Sequence, residues 1–337
     1  MRQSAFALKS YDGITEYQGN QKVEEIYVYV ITGFMDSGKT SLIHETLFDQ
    51  EFAADSRTLI IACEDGEKEY DPAKLKTIFT ELEWIERKED FTAEKLRELN
   101  EKHHPDNVFI EFNGTWEIAL LLETELPKGW QIVQSLATVD AATYEMYYNN
   151  MRQMMKEQIF KADVVIFNRC TEKTNKTLFR RTVKAINRAA QIVYEREDGT
   201  IDQGGDEELP FDISGDYLDI SDADYGIWYL DALEHPKHYE GKKIHFLALV
   251  YNPDKQRGKG VIVPGRFAMT CCEADIQFIG FKCKYKDADN IPHKSWIDLT
   301  AEVRVEFARE YKGKGPVLYP TEVKMAERPE DELVYFS

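Results

Sequence analysis

The stretch GFMDSGKTSL, residues 33–42, decides how the first half of the chain is read. It follows an apolar run, EIYVYVIT, rich in β-branched and aromatic residues, and precedes a segment with helical spacing. The pattern is G-x-x-x-x-G-K-[ST] between a strand and a helix, the arrangement in which backbone N–H groups cradle phosphates. Gly33 and Gly38 permit a backbone course that a Cβ resists. The turn aims its N–H groups inward, and the helix that follows adds its N-terminal dipole. Lys39 is placed to reach the β- and γ-phosphates, and the Thr40 hydroxyl to take Mg²⁺. The nucleotide-binding set in this loop is therefore Gly33, Asp36, Ser37, Gly38, Lys39, Thr40 and Ser41. Average usage of Gly, Lys and Ser/Thr gives such a match by accident about once in a hundred chains of this length.

Outward from the loop, strand-like and helix-like segments alternate from about residue 26 to 196. Strands are expected at Ile26–Thr32, Thr58–Cys63, Asn107–Phe112, Gln131–Val139, Asp163–Asn168 and Gln191–Tyr194. Several are continuous apolar runs, as in strands covered on both faces. Helices are expected at Lys39–Gln50, Pro72–Glu83, Thr92–His103, Trp116–Glu125, Ala141–Phe160 and Asn175–Ala189, with Asp71 before Pro72 as a helix start. The alternation predicts an α/β fold with a doubly wound, mostly parallel sheet and ligand at the carboxyl ends of its strands. An acidic, Gly- and Asp-rich stretch without helical period follows. Short β-like runs punctuated by turn residues come next: KIHFLALVY, GVIVPGRFAMTCC, IQFIGFKCKY, SWIDLTAEVRVEF and PVLYPTEVKMAE. They predict a smaller all-β, OB-like barrel of about five strands. The expected organisation is an N-terminal extension (1–25), a P-loop domain (26–197), an acidic linker (198–240) and a β-rich domain (241–337).

The 337 residues suffice for two such domains. With 61 acidic against 42 basic residues, the formal charge of −19 argues against a nucleic-acid or anionic-membrane binder. No apolar run is long enough to span a bilayer, and the N-terminal MRQSAFALKSYDG has too short an apolar core for a signal peptide. Five cysteines, Cys63, Cys170, Cys271, Cys272 and Cys283, form an odd, sparse set that suggests reduced thiols and a cytoplasmic location.

Further chemistry is expected at strand ends. Glu111, closing the strand in IEFNG, can hold Mg²⁺ directly or through water, and Gly114 can lend an N–H to a γ-phosphate. Taken alone, such an acid more often caps the next helix. CEDGEKEYD offers Cys63, Glu64, Glu67 and Asp71 as a metal site facing the nucleotide, with a solvated acidic loop as the plain alternative. Asn168 and Arg169 stand where many GTPases begin N-K-x-D, but Thr171 offers no carboxylate for guanine, so selectivity for GTP over ATP is weakened unless Glu172 reaches the base. Cys271 and Cys272, with Cys283, are either ligands for a soft metal or small core residues; adjacent positions on a regular strand face opposite sides.

The motifs ITGFMDSGKTSL, CEDGEKEYD, FIEFNG, ATVDA, EQIFKADVVIFNR and INRAAQIVY, in that order, resemble the CobW-like metal-chaperone GTPases of the SIMIBI class of P-loop proteins. That resemblance covers about half of the chain. It implies GTP hydrolysis and delivery of Zn²⁺ or another metal to a client protein, with Lys39, Glu64 and Glu111 as the catalytic set. The family's C-x-C-C motif is absent: the corresponding stretch, ELEWIERKEDF, holds no cysteine. The C-terminal hundred residues are similar to the C-terminal domain of small bacterial proteins that accompany a predicted permease, through Arg266, Cys271, Cys272, Ala274 and Asp275. The leading expectation is a nucleotide-hydrolysing metallochaperone or insertase with GTP or ATP, Mg²⁺ and Zn²⁺ as cofactors. The alternative is a nucleotide-gated adaptor without metal cargo that docks a membrane or cytosolic partner through its β domain. A small-molecule kinase is the third. A permease complex as partner and a homodimer are both compatible with these readings.

Overall fold

The computed structural model describes residues 17–18, 21–22, 25–48, 56–64, 66, 70–202, 209–253, 258–270, 275–311 and 313–336. The expected ligands Glu67, Cys271 and Cys272, and Ala274 of the second resemblance, lie outside them. The chain forms two compact units, one of residues 1–176 and 186–205, the other of 177–185 and 206–337.

The first unit carries β1 (Ile26–Thr32), α1 (Lys39–Leu47), β2 (Thr58–Ala62), α2 (Pro72–Lys76), β3 (Thr80–Trp84), α3 (Ala93–His103), β4 (Asn107–Glu111) and α4 (Ile118–Glu123). β5 (Trp130–Asp140), α5 (Tyr144–Asn150), α6 (Arg152–Ile159) and β6 (Val164–Cys170) follow. After α7 (Lys176–Ile186) come β7 (Gln191–Arg196) and β8 (Ile201–Asp202). The sheet order is β8-β7-β6-β5-β1-β4-β2-β3, parallel except for β8 on β7. This is the doubly wound sheet that the alternation predicts. β1 lies between β4 and β5, so the carboxyl ends of three strands open beside the loop that leaves β1. The alternating side chains of β1 bury both faces. Val28 and Val30 pack with Cys63, Phe112 and Trp116; Tyr29 and Ile31 pack with Ile43 and Leu47 of α1. Each such fully buried aliphatic chain contributes about 1.5–3 kcal/mol.

Two expected helices differ. Pro72–Glu83 is α2 followed by the edge strand β3. Asp71 starts α2 as expected, its carboxylate accepting from the N–H groups of Ala73 (3.0 Å) and Lys74 (3.3 Å). The chain then turns at Phe79, whose φ of 53° is left-handed, and TELEW pairs with β2. Ala141–Phe160 breaks at Met151, where φ −133° and ψ 39° end α5 and begin α6.

The second unit is built on β10 (Lys243–Tyr251), β11 (Val261–Ala268), β13 (Lys282–Lys284), β14 (Trp296–Ala308) and β15 (Gly313–Met325), with β9 (Tyr217–Asp219), β12 (Gln277–Gly280) and β16 (Leu333–Val334) on its margins. β10 pairs with β14, β14 with β15, β15 with β13, β13 with β11, and β11 returns to β10. Five strands thus close a barrel, with one parallel pair, β13–β15. The stretch expected as an acidic linker, 198–240, holds β8, β9 and the helix α8 (Tyr225–Glu234). Tyr225 and Trp228 of α8 join Phe246 and Phe281 in the core of this unit. Residues 209–240 are therefore part of the second unit rather than a spacer. Among the described residues, no helix is long and apolar enough to cross a membrane.

Candidate phosphate-binding site

The loop from β1 to α1 has the geometry its glycines allow. Gly33 (φ 136°), Asp36 (φ 59°) and Gly38 (φ 101°) all have positive φ, and Gly38 caps α1. Lys39 is 2% exposed, and its ammonium donates to the carbonyls of Gly33 (2.9 Å) and Phe34 (2.8 Å) and to the Glu64 carboxylate. The other Glu64 oxygen accepts the N–H of Gly114 at 3.1 Å. A lysine and a backbone N–H from two different loops thus converge on one carboxylate. These are the two donors that the sequence assigns to a γ-phosphate. Gly114 is required here because a Cβ would lie 2.3 Å from the Gly33 carbonyl oxygen. A cavity of about 80 Å³ opens among Asp36, Gly38, Lys39, Thr40, Ser41, Glu64 and Glu111.

Beside it, the Thr40 hydroxyl donates to Glu111 at 2.7 Å, and the Tyr70 hydroxyl donates to the second Glu111 oxygen. Burial raises the Glu111 carboxyl above its ordinary range, against the opposing pull of the Tyr70 and Thr40 hydrogen bonds and of Lys39. A hydroxyl and a carboxylate form a hard oxygen donor pair, which fits Mg²⁺. A divalent cation there would offset the cost of keeping Glu111 ionised.

Asn168 and Arg169 buttress the loop. Asn168 Nδ2 donates to the Ser37 carbonyl (2.6 Å), and Arg169 donates to the Asp36 carbonyl (3.2 Å) and to Asp140. The oxygen of the Asn168 side-chain amide is buried without a partner. Thr171 and Glu172 are both exposed. Sequence reasoning missed Gln158, whose amide lies between the two phosphate-site loops, and the hydroxyl pair Ser37–Thr138 at 2.7 Å. A glutamine inside a helix carries no motif. Only its place in EQIFKADVVIFNR marked it.

Of the thiols expected as ligands, Cys63 and Cys283 are described. Cys63 is fully buried on the face of Val28, Phe112 and Trp116, and burial together with Glu111 and Glu64 pushes its thiol pKa well up. Cys283 is fully buried in the core of the second unit, and burial raises its pKa too. Both are small side chains packed into apolar cores. Asp71 caps α2 instead of facing a metal. Among the described residues, no three His, Cys, Asp or Glu side chains gather as a metal-binding group.

The sheet order, the loop and its lysine define a P-loop nucleotide-binding protein. Residues 27–194 match the CobW/HypB/UreG nucleotide-binding domain, and the chain belongs to that family through this domain; residues 201–336 match the DUF1980 C-terminal domain. Among solved structures, the hydrogenase maturation factor HypB from Archaeoglobus fulgidus is similar over 52% of this chain and 82% of its own, at 16% identity and a TM-score of 0.38. The Zn(II)-bound YjiA GTPase from E. coli is similar over 82% of this chain and 94% of its own, at 18% identity and a TM-score of 0.41. No curated protein matches the chain.

Proposed function

We propose that this chain is a nucleoside triphosphatase that favours GTP and works as a metallochaperone or insertase for Zn²⁺ or a similar divalent metal. One observation carries the nucleotide part. Lys39 and the Gly114 N–H meet on the Glu64 carboxylate, an anion held where a terminal phosphate would be held. An incoming triphosphate replaces Glu64 on both donors. Its other oxygens take the loop N–H groups and the dipole of α1. Mg²⁺, held by Thr40 and Glu111, would neutralise charge on the β- and γ-phosphates. Glu64, displaced by the γ-phosphate and restored on hydrolysis, is the group through which hydrolysis resets client or metal affinity. Asn168 and Arg169 fix the loop beneath the base, and with Thr171 in place of a carboxylate the preference for GTP is modest. The metal cargo rests on the resemblance to metal-chaperone GTPases.

A second reading, the nucleotide-gated adaptor without metal, is favoured by the burial of Cys63 and Cys283 in apolar cores. One experiment separates the two. Titration calorimetry with Mg²⁺ and a non-hydrolysable GTP analogue, and metal analysis under reducing conditions, are run on the same sample. Binding together with stoichiometric Zn²⁺ supports the chaperone. Binding without Zn²⁺ leaves the adaptor, and no binding of either GTP or ATP overturns the nucleotide site itself.

A further inference from the structure

We propose that Gln158 is a positioning residue of the phosphate site, coupling the phosphate loop to the loop after β4 through one buried amide; this rests on the nucleotide reading above. Gln158 is 3% exposed on α6. Its Oε1 accepts the N–H of Gly33 at 3.0 Å, and its Nε2 donates to the carbonyl of Gly114 at 3.0 Å. The backbone leaves no choice of amide orientation, because Gly33 offers a donor and Gly114 an acceptor. The Gln158 carbonyl also accepts the Thr32 hydroxyl at 2.8 Å, so this turn of α6 is tied to the end of β1.

The consequence is geometric. Gly114 presents its N–H to the phosphate position and its carbonyl to Gln158. Gly33 presents its carbonyl to Lys39 and its N–H to Gln158. Each glycine therefore has one peptide group facing the site and the other facing the same side chain. Both lack a Cβ, so their own side chains place no limit on their backbone torsions, and the close approach of the two backbones makes small changes in those torsions count. Gln158 restrains them. It sets the spacing between Lys39 and the Gly114 N–H, the two donors that a γ-phosphate would bridge. A diphosphate does not reach the Gly114 N–H, so the restraint acts on the triphosphate and its transition state. Binding of the loop to the α- and β-phosphates does not depend on it.

The test compares Gln158→Met, which keeps the volume and removes both hydrogen bonds, with Gln158→Glu, which keeps the acceptor for Gly33 and lacks a donor to Gly114 when ionised. GTP turnover, GDP affinity and the thermal transition are measured for each. For Gln158→Met, kcat falls about 10- to 100-fold, the effect of misplacing groups at a reacting centre, while GDP affinity changes less than about threefold. Gln158→Glu is impaired where its carboxyl is ionised and recovers relative to wild type as the pH falls through that carboxyl's pKa, which burial and the Gly114 carbonyl raise above the ordinary glutamate range, because the protonated carboxyl regains an O–H donor for the Gly114 carbonyl. A purely structural amide gives a different result: turnover, GDP affinity and folded fraction fall together, and the pH profile of Gln158→Glu runs parallel to wild type. That result, or wild-type turnover in Gln158→Met, overturns the proposal while leaving the nucleotide reading intact. A wild-type protein that neither binds nor hydrolyses nucleotide removes both.

Discussion

The two units bury polar side chains to opposite ends. In the first, Lys39, Glu64, Glu111, Gln158, Ser37 and Thr138 all gather at the carboxyl edge of the sheet. Their hydrogen bonds run between loops that a ligand would separate or bridge. In the second, the buried polar groups bond to fixed backbone or to their own neighbours. Arg266 is fully buried and donates to Asp222 and to the Asp331 carbonyl (3.0 Å), with its guanidinium 5.1 Å from the Trp296 ring centroid. Asn252 donates to the Ala288 (2.9 Å) and Ile291 (2.8 Å) carbonyls, and Asp231 accepts the Tyr239 hydroxyl at 2.6 Å. Burial of a charge is therefore no mark of a site by itself. What distinguishes the first unit is that its buried cation and carboxylate hold each other through contacts a phosphate can replace.

Substitutions can break or sharpen that contrast. Lys39→Ala has the largest effect: losing a charge-assisted donor to the phosphates lowers nucleotide affinity about 100-fold or more, with the circular dichroism spectrum unchanged. Unchanged affinity in calorimetry would sink the assignment of the loop. Next comes Asp222→Ala, which leaves Arg266 buried beside a single carbonyl. It should cost the second unit about 2 kcal/mol, below the range for fully buried pairs because Asp222 is half-exposed, and should leave nucleotide affinity alone. A matched loss of nucleotide binding in that variant would erase the distinction between the units. Glu64→Ala removes the internal competitor for Lys39 and Gly114. Nucleotide affinity should rise about tenfold, the scale of one charged hydrogen bond, and weaker binding would show that Glu64 aids the bound state instead.

The smallest effect belongs to His245 on the barrel. Burial disfavours its charged form, but hydrogen bonds to Asp219 (2.6 Å) and Asp298 (3.0 Å) outweigh this and raise its pKa. A histidine raised in the folded state contributes stability that is fully present below the unfolded value of about 6.5 and is lost as pH rises through the folded value. Wild type and His245→Gln should thus differ in melting temperature at acidic pH and converge above neutrality. A gap that stays constant with pH would contradict this.

Much of the first unit was legible because its signals are local. A phosphate loop needs particular glycines, a lysine and a threonine in a fixed run, and buried parallel strands read as apolar runs. Lys39, Thr40, Glu111 and Gly114 could be placed from their distance to strand ends. β3 was not legible, because TELEW is made of residues that also suit a helix, and only its pairing with β2 makes it a strand. α8 was hidden for a different reason. YGIWYLDALE is apolar on most sides and lacks an amphipathic stripe, and it sits within acidic flanks that read as a linker. Gln158 was out of reach because its role depends on two glycines more than forty positions away. For Cys63 and Cys283 the sequence left ligand and core residue open, because residue type says what can ligate, while burial depends on the face of the strand. Cys63 follows β2 on the side that packs against Phe112 and Trp116.

The grip of Lys39 on Glu64 and on the Gly33 and Phe34 carbonyls also sets a clock. A nucleotide that meets the free protein finds its lysine already engaged, so entry must wait for that contact to open. Association is then a gated process with two stages. Its observed rate climbs with nucleotide concentration only until opening becomes the slow event, and beyond that it reaches a ceiling set by the protein alone.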